Sequence, residues 1–218
     1  METIMEKIKR KSIEIPRNIF LFKIGPVLRF FKKRPLPQNA DGKVLIHIGC
    51  GDFDDKRYIN VDTRPGWHIH YVESIENIEK LFPENYADLI YACMILEHVS
   101  YLKLLPTLKG IRKCLKQKGI FRVSVPDFDA IIEMYKDGKS VEAITPPLMG
   151  GQGYEGNFHY SIFNEAYLKQ LLLESGFKEV KKWNPENASY HNFNDWSKRE
   201  FPLNGKNWQI TLNLEAVK

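Results

Sequence analysis

The sequence predicts an α/β fold, a single mostly parallel seven-stranded sheet with helices on both faces. Three observations carry that reading. From Lys43 onward, short apolar runs of strand length alternate with amphipathic stretches of helical spacing. The first run, Leu45-Ile46-His47-Ile48, passes straight into Gly49-Cys50-Gly51. The second, Tyr58-Ile59-Asn60-Val61, closes on the carboxylate of Asp62. Such alternation wires a parallel sheet, because each strand returns to its neighbour through a crossover lying on one face.

The elements follow in order. Strands are expected over 44–48, 58–61, 68–72, 87–93 and 120–125, the third being weakest. Asp62 follows Gly51 by only eleven positions, so the first crossover is a loop or a very short helix. Between the fourth and fifth strands, Leu104, Leu105, Leu108, Ile111 and Leu115 recur at helical spacing, which predicts a helix over 101–116 with Gly119 as its stop. Asp127 is placed to cap a helix over 127–136, and Asn164 another over 165–175, stopped by Gly176. Two more strands are expected over 178–183 and 209–216. The glycine-rich stretch 145–160 reads as a long loop, a common form for a lid.

Composition sets bounds on the whole. The chain has 218 residues, 43% of them hydrophobic, enough for one core without covalent staples. Three cysteines, with no CxxC pair, suggest neither a disulfide framework nor a zinc site. No secretory signal pattern opens the chain, and a cytoplasmic location is expected. The net charge of +5 is uneven: residues 1–40 hold ten Lys and Arg against three Glu. We therefore expect a basic, partly apolar arm and linker over 1–40, ending at Pro35 and Pro37, and a near-neutral domain over 41–218. Residues 19–34 are too charged to span a bilayer. They suit either packing on the domain or on a second subunit of a homo-oligomer, or a peripheral contact with an anionic membrane. The domain itself has no basic surplus for tracking nucleic acid.

Glycines after the first strand let a ligand approach the main chain at the carboxyl edge of the sheet, where open α/β sheets bind ligands. A carboxylate at the tip of the second strand can accept both hydroxyls of an adenosine ribose. The fourth strand, Ala87 to Cys93, delivers Met94-Ile95-Leu96-Glu97-His98 just past the same edge. His98, with an ordinary pKa near 6.5, suits proton abstraction there, and Glu97 is placed to orient it or a ligand amine. His159 and Tyr160, in the glycine-rich stretch, are further acid/base or substrate groups. Trp196, in a mixed aromatic and polar segment, can stack on the apolar face of a sugar. The six histidines form no HxxxH or other metal-ligand spacing, and no metal is expected.

Taken together, IGCG (48–51), INVD (59–62), DLIYACMILEHV (88–99) and VPDF (125–128) resemble class I S-adenosylmethionine-dependent methyltransferases. The closer resemblance is to the methyltransferases of bacterial surface-polysaccharide gene clusters, and it covers residues 43–218. It implies a Rossmann-like methyltransferase domain with S-adenosylmethionine as cofactor. Gly49, Cys50 and Gly51 would lie along the methionine part, Asp62 at the ribose, Ser74 and Ile75 at the adenine, and Ala92, Cys93 and Met94 beside the sulfonium. His47 stands where many class I enzymes carry an acidic residue, so recognition of the cofactor amine must be arranged differently. The acceptor implied is a small molecule, a sugar or a nucleotide-linked or phosphorylated precursor of a surface glycan, methylated on oxygen. Two other readings stay open. A nucleotide-cofactor dehydrogenase is disfavoured by the missing third glycine after Gly51, and a non-catalytic partner of a membrane-bound glycan assembly would keep the fold without turnover.

Overall fold

The structure, a computed structural model, describes Val27 and residues 34–218. Apart from Val27 and Arg34, the stretch 19–34 lies outside the described residues, and so do its expected contacts. Seven strands form one sheet in the order β3-β2-β1-β4-β5-β9-β6. They are β1 (Leu45–Ile48), β2 (Tyr58–Asp62), β3 (Tyr71–Val72), β4 (Ala87–Cys93), β5 (Leu115–Pro126), β6 (Glu179–Lys182) and β9 (Thr211–Val217). β1 to β5 are mutually parallel, and β9 runs antiparallel between β5 and β6. A separate hairpin pairs β7 (Glu200–Leu203) with β8 (Lys206–Gln209).

Among the described residues from 34 onward, the helices are α1 (Ile78–Leu81), α2 (Leu104–Cys114), α3 (Phe128–Gly138), α4 (Val141–Met149) and α5 (Glu165–Glu174). Period-two alternation along the strands sorts their side chains onto two faces. Ile46, Ile48, Ile59, Val61, Ile90, Ala92, Phe121 and Val123 share the main core with Ile78 of α1, Leu104, Leu108 and Ile111 of α2, and Leu168 and Leu172 of α5. The opposite face carries Leu45, Tyr58, Leu89, Tyr91 and Cys93, packed against Trp183, Tyr190 and Phe193 of the segment that follows β6. A third cluster joins Ile131 and Met134 of α3 to Ile144 of α4, Phe201 and Trp208 of the hairpin, and Ile210. No helix among the described residues is long and apolar enough to cross a membrane.

Residues 49–57, between β1 and β2, contain turns and no helix, as the short spacing requires. Asp127 and Asn164 cap their helices, accepting from the N–H groups of Asp129 and Tyr167. Four expectations need correction. The third strand is only Tyr71–Val72. The helix before β5 ends at Cys114 rather than 116, and Gly119 is not its stop. Ala87 pairs with Leu115 and Leu89 with Ile120, so Gly119 sits in a bulge. A Cβ there would stand 2.8 Å from the Lys116 carbonyl oxygen, and only glycine fits. Residues 145–149 are helical, not loop, despite Pro146 and Pro147. α4 keeps its ends because Ser140 accepts from Ala143 N–H and Gly150 N–H donates to Pro146, so the prolines cost only interior bonds. Finally, Gln209 belongs to the hairpin, and the closing strand begins at Thr211.

Candidate active site

The glycine turn is shaped from both sides. Gly49 and Gly51 have φ of +63° and +58°, and a Cβ on Gly49 would lie 2.6 Å from Ile95 Cγ1. Left-handed backbone and close approach together exclude any other residue at 49. The tip of β2 holds the turn: Gly49 N–H donates to the Val61 carbonyl at 2.8 Å, and Gly51 N–H to Asp62 Oδ2 at 2.9 Å. Asp62 Oδ1 accepts from Arg64 N–H at 2.8 Å. The imidazole of His68 donates to the Gly51 carbonyl at 2.7 Å. Asp62 is 5% exposed, far from an ordinary turn aspartate.

A cavity of about 490 Å³ opens on this turn at the carboxyl ends of β1, β2, β4 and β5. Of the residues predicted from sequence, His47, Gly49, Cys50, Gly51, Asp62, Cys93, Met94, Glu97, His98, His159 and Trp196 line it. Ser74, Ile75, Ala92 and Tyr160 do not. Ser74 accepts from Glu76 N–H at the start of the 3-10 turn Ile75–Asn77, and Ile75 and Ala92 are buried in the main core. Tyr160 is exposed. Cys50 and Cys93 are buried and their thiols are pushed well up by desolvation, so neither is a nucleophile.

Beyond β4 the chain turns sharply at Met94, whose φ of 51° is strained for a side chain of that size. The 3-10 turn Leu96–His98 follows. Residues 158–161 are stapled onto it. Tyr160 and Ser161 donate their N–H groups to the Glu97 carbonyl at 2.8 and 3.1 Å, and the Ser161 hydroxyl donates to the Val99 carbonyl at 2.6 Å. His98 Nδ1–H donates to the Phe158 carbonyl at 2.9 Å, which leaves the lone pair on Nε2. The rings of His98 and His159 meet edge to face, 4.9 Å apart. His159 Nε2 lies 4.0 Å from Glu97 Oε1.

Electrostatics in this corner follow from burial. The Glu97 side chain is 1% exposed, neither of its oxygens has a hydrogen-bond partner, and desolvation raises its carboxyl to about 8. Burial also lowers His98, against the carbonyls of Phe158 and Met94, and lowers His159 to about 4 with help from the neighbouring His98. Both imidazoles are therefore neutral near pH 7.

The far wall was only partly legible. Asp195 lines the cavity from the segment after β6, and its carboxylate accepts from the Tyr91 hydroxyl and from Ser197 N–H at 2.9 Å. Burial pushes its carboxyl up, but hydrogen bonds from His191, Ser197 and Tyr91 outweigh that and hold it at about 2. His47, buried among Tyr91, Phe53, Tyr58 and Phe193, is lowered to about 4 by desolvation. Its Nδ1 has no hydrogen-bond partner. Phe201 and Ile210 complete the wall beside the β7–β8 hairpin. The readable signal for that hairpin was Asn204-Gly205, both at positive φ in the turn.

The Methyltransferase domain family model matches residues 19–182. The chain belongs to that family. The methyltransferase uses S-adenosylmethionine as its cofactor, and the residues fit it: a glycine cradle without side chains, a buried acceptor at Asp62 and an unpartnered His47 Nδ1 on one cavity. Among solved structures, a SAM-dependent methyltransferase from Archaeoglobus fulgidus is similar at 15% identity and a TM-score of 0.52, covering 97% of this chain and 99% of that one. A Bordetella parapertussis protein is similar at 12% identity and a TM-score of 0.52, over 99% of this chain and 73% of that one. At such identities the likeness is one of fold. Among curated proteins, none matches the chain.

Proposed function

We propose that the enzyme methylates a hydroxyl of a small polar acceptor, a sugar or a nucleotide-linked or phosphorylated precursor of a surface glycan. The observation that carries this reading is the placement of Glu97, His98 and His159 on the same cavity as the glycine turn and Asp62. Bound S-adenosylmethionine supplies an electrophilic methyl group and leaves as a neutral thioether. Gly49 and Gly51 admit its methionine part, and Asp62 accepts from its ribose. Because His47 is neutral, Asp195 provides the negative charge that β1 lacks for the amine. His98, neutral and with a lone pair on Nε2, faces the acceptor and is the first group to receive its proton. Trp196, 46% exposed on the cavity rim with the Arg199 guanidinium 4.0 Å from its ring centre, supports a sugar reading, since an apolar sugar face stacks on indole. Alignment of the two substrates supplies much of the rate.

The test is transfer of labelled methyl from S-adenosylmethionine to a panel of nucleotide sugars and sugar phosphates, with the methylated atom located by NMR. We expect an O-methyl product, and turnover reduced by about 10²–10⁴ in His98→Ala with S-adenosylhomocysteine affinity kept. Methyl appearing on nitrogen or carbon would overturn the reading, and full activity of His98→Ala would remove His98 from the chemistry.

A further inference from the structure

Glu97 is buried at the edge of the cavity with both carboxylate oxygens unpartnered. Buried carboxylates are ordinarily hydrogen-bonded, paired or bound to metal, because desolvation is otherwise uncompensated. His159 Nε2, at 4.0 Å, is too far away for a hydrogen bond to Oε1. The separation suits something else. Two donors that each sit about 2.1 Å from one ion are at most about 4.2 Å apart. The donor atoms of Glu97, His98 and His159 all lie within 4.8 Å of one another, so the three converge close to that reach. His98 is already held as metal-ligating histidines are held: Nδ1–H is tied to the Phe158 carbonyl, and Nε2 keeps its lone pair.

We propose that Glu97, His98 and His159 bind a first-row divalent cation such as zinc, manganese or cobalt, with an open position for the acceptor's hydroxyl. Two imidazoles and one carboxylate suit such ions better than magnesium or calcium, which prefer oxygen donors. The inference rests on the O-methylation reading and deepens it by naming how the hydroxyl is activated. On coordination the O–H bond breaks more readily, the electron pair stays on oxygen and the proton passes to water. In the loaded site the His98 lone pair goes to the cation rather than to the acceptor's proton. The proposal departs from the sequence expectation of no metal, whose spacing search along the chain could not join His159 to residues some sixty positions earlier.

The experiment uses the full, tag-free chain, stripped with a chelator and dialysed. Zinc and manganese are titrated by calorimetry, and cobalt is followed by its visible absorption. One ion per chain at micromolar affinity or tighter is expected, with a four- or five-coordinate cobalt spectrum. Affinity should fall at least tenfold in Glu97→Gln and in His159→Asn, both of which should retain wild-type circular dichroism and S-adenosylhomocysteine binding. No binding, or binding indifferent to both substitutions, overturns the proposal. Methyl transfer by the stripped protein separates the two readings: full activity without metal leaves O-methylation standing and sinks the cation's role. Metal binding lost in the variants, alongside an N- or C-methylated product, would sink O-methylation and keep the site.

Discussion

Asp62 does two things with one carboxylate. It fixes the glycine turn through Gly51 N–H and its own loop through Arg64 N–H, and it still lines the cavity with acceptor capacity to spare. Removing it therefore acts on cofactor binding twice, through a lost acceptor and through a loosened turn. Asp62→Ala is expected to weaken S-adenosylhomocysteine binding by about 1.5–3 kcal/mol, the cost of losing charge-assisted bonds. Calorimetric titration checks it, and unchanged affinity would take Asp62 out of the cofactor site. Its identity was legible in the sequence because strand and residue are contiguous. Asp195 was not, since only the fold sets its carboxylate against Tyr91, about a hundred residues away in the chain.

At the scale of elements, the segment 158–161 matters more than its glycine-rich surroundings suggest. The Tyr160 and Ser161 N–H groups and the Ser161 hydroxyl clamp it to the Leu96–His98 turn. That clamp, with the His98–Phe158 bond and the His159 N–H bond to the Met149 carbonyl, brings His159 beside Glu97. Ser161→Ala removes the 2.6 Å bond to the Val99 carbonyl and leaves that buried acceptor short of a partner. We expect a stability loss of about 1–2 kcal/mol in denaturant titration. Turnover should fall with cofactor affinity kept, because the glycine turn and Asp62 lie on other elements. Equal loss of cofactor binding would mean that the clamp supports the whole cavity. The helical α4 and the Gly119 bulge were misread for one reason. Proline and glycine report a local break, whereas capping at Ser140 and close packing on the Ala87 carbonyl decide whether the break occurs.

For the whole molecule, the buried neutral His47 sets an acid limit on stability. Its folded pKa, about 4, lies below its ordinary value of 6.5, so the unfolded chain binds the proton first. The stabilisation is fully present above pH 6.5 and is lost as the pH falls towards 4. The loss amounts to roughly 3 kcal/mol for a shift of this size. His159, lowered for the same main reason, adds to the trend in the same window. Glu97, raised to about 8, works the other way over the same range, so the His47 contribution is read as a difference. Between pH 7.5 and 4, His47→Phe, which keeps a ring against Tyr91 and Phe193, should lose less thermal stability than the wild type. An equal slope in the variant would assign the acid sensitivity elsewhere.

What the sequence by itself determined is whatever a few neighbouring residues encode. Alternation marks the inner strands, paired glycines mark a backbone that turns left-handed, and a carboxylate at a strand tip marks the ligand edge. Asp127 and Asn164 announce their helices by the same short-range chemistry. Tertiary structure alone decided which distant residues share the cavity: His159 against Glu97, Asp195 under Tyr91, and the aromatic cover of Trp183 and Phe193 over the second face of the sheet. Those placements depend on closing loops of sixty to a hundred residues. Hydrophobic burial and backbone hydrogen bonds close them, and neither leaves a local pattern at the residues brought together.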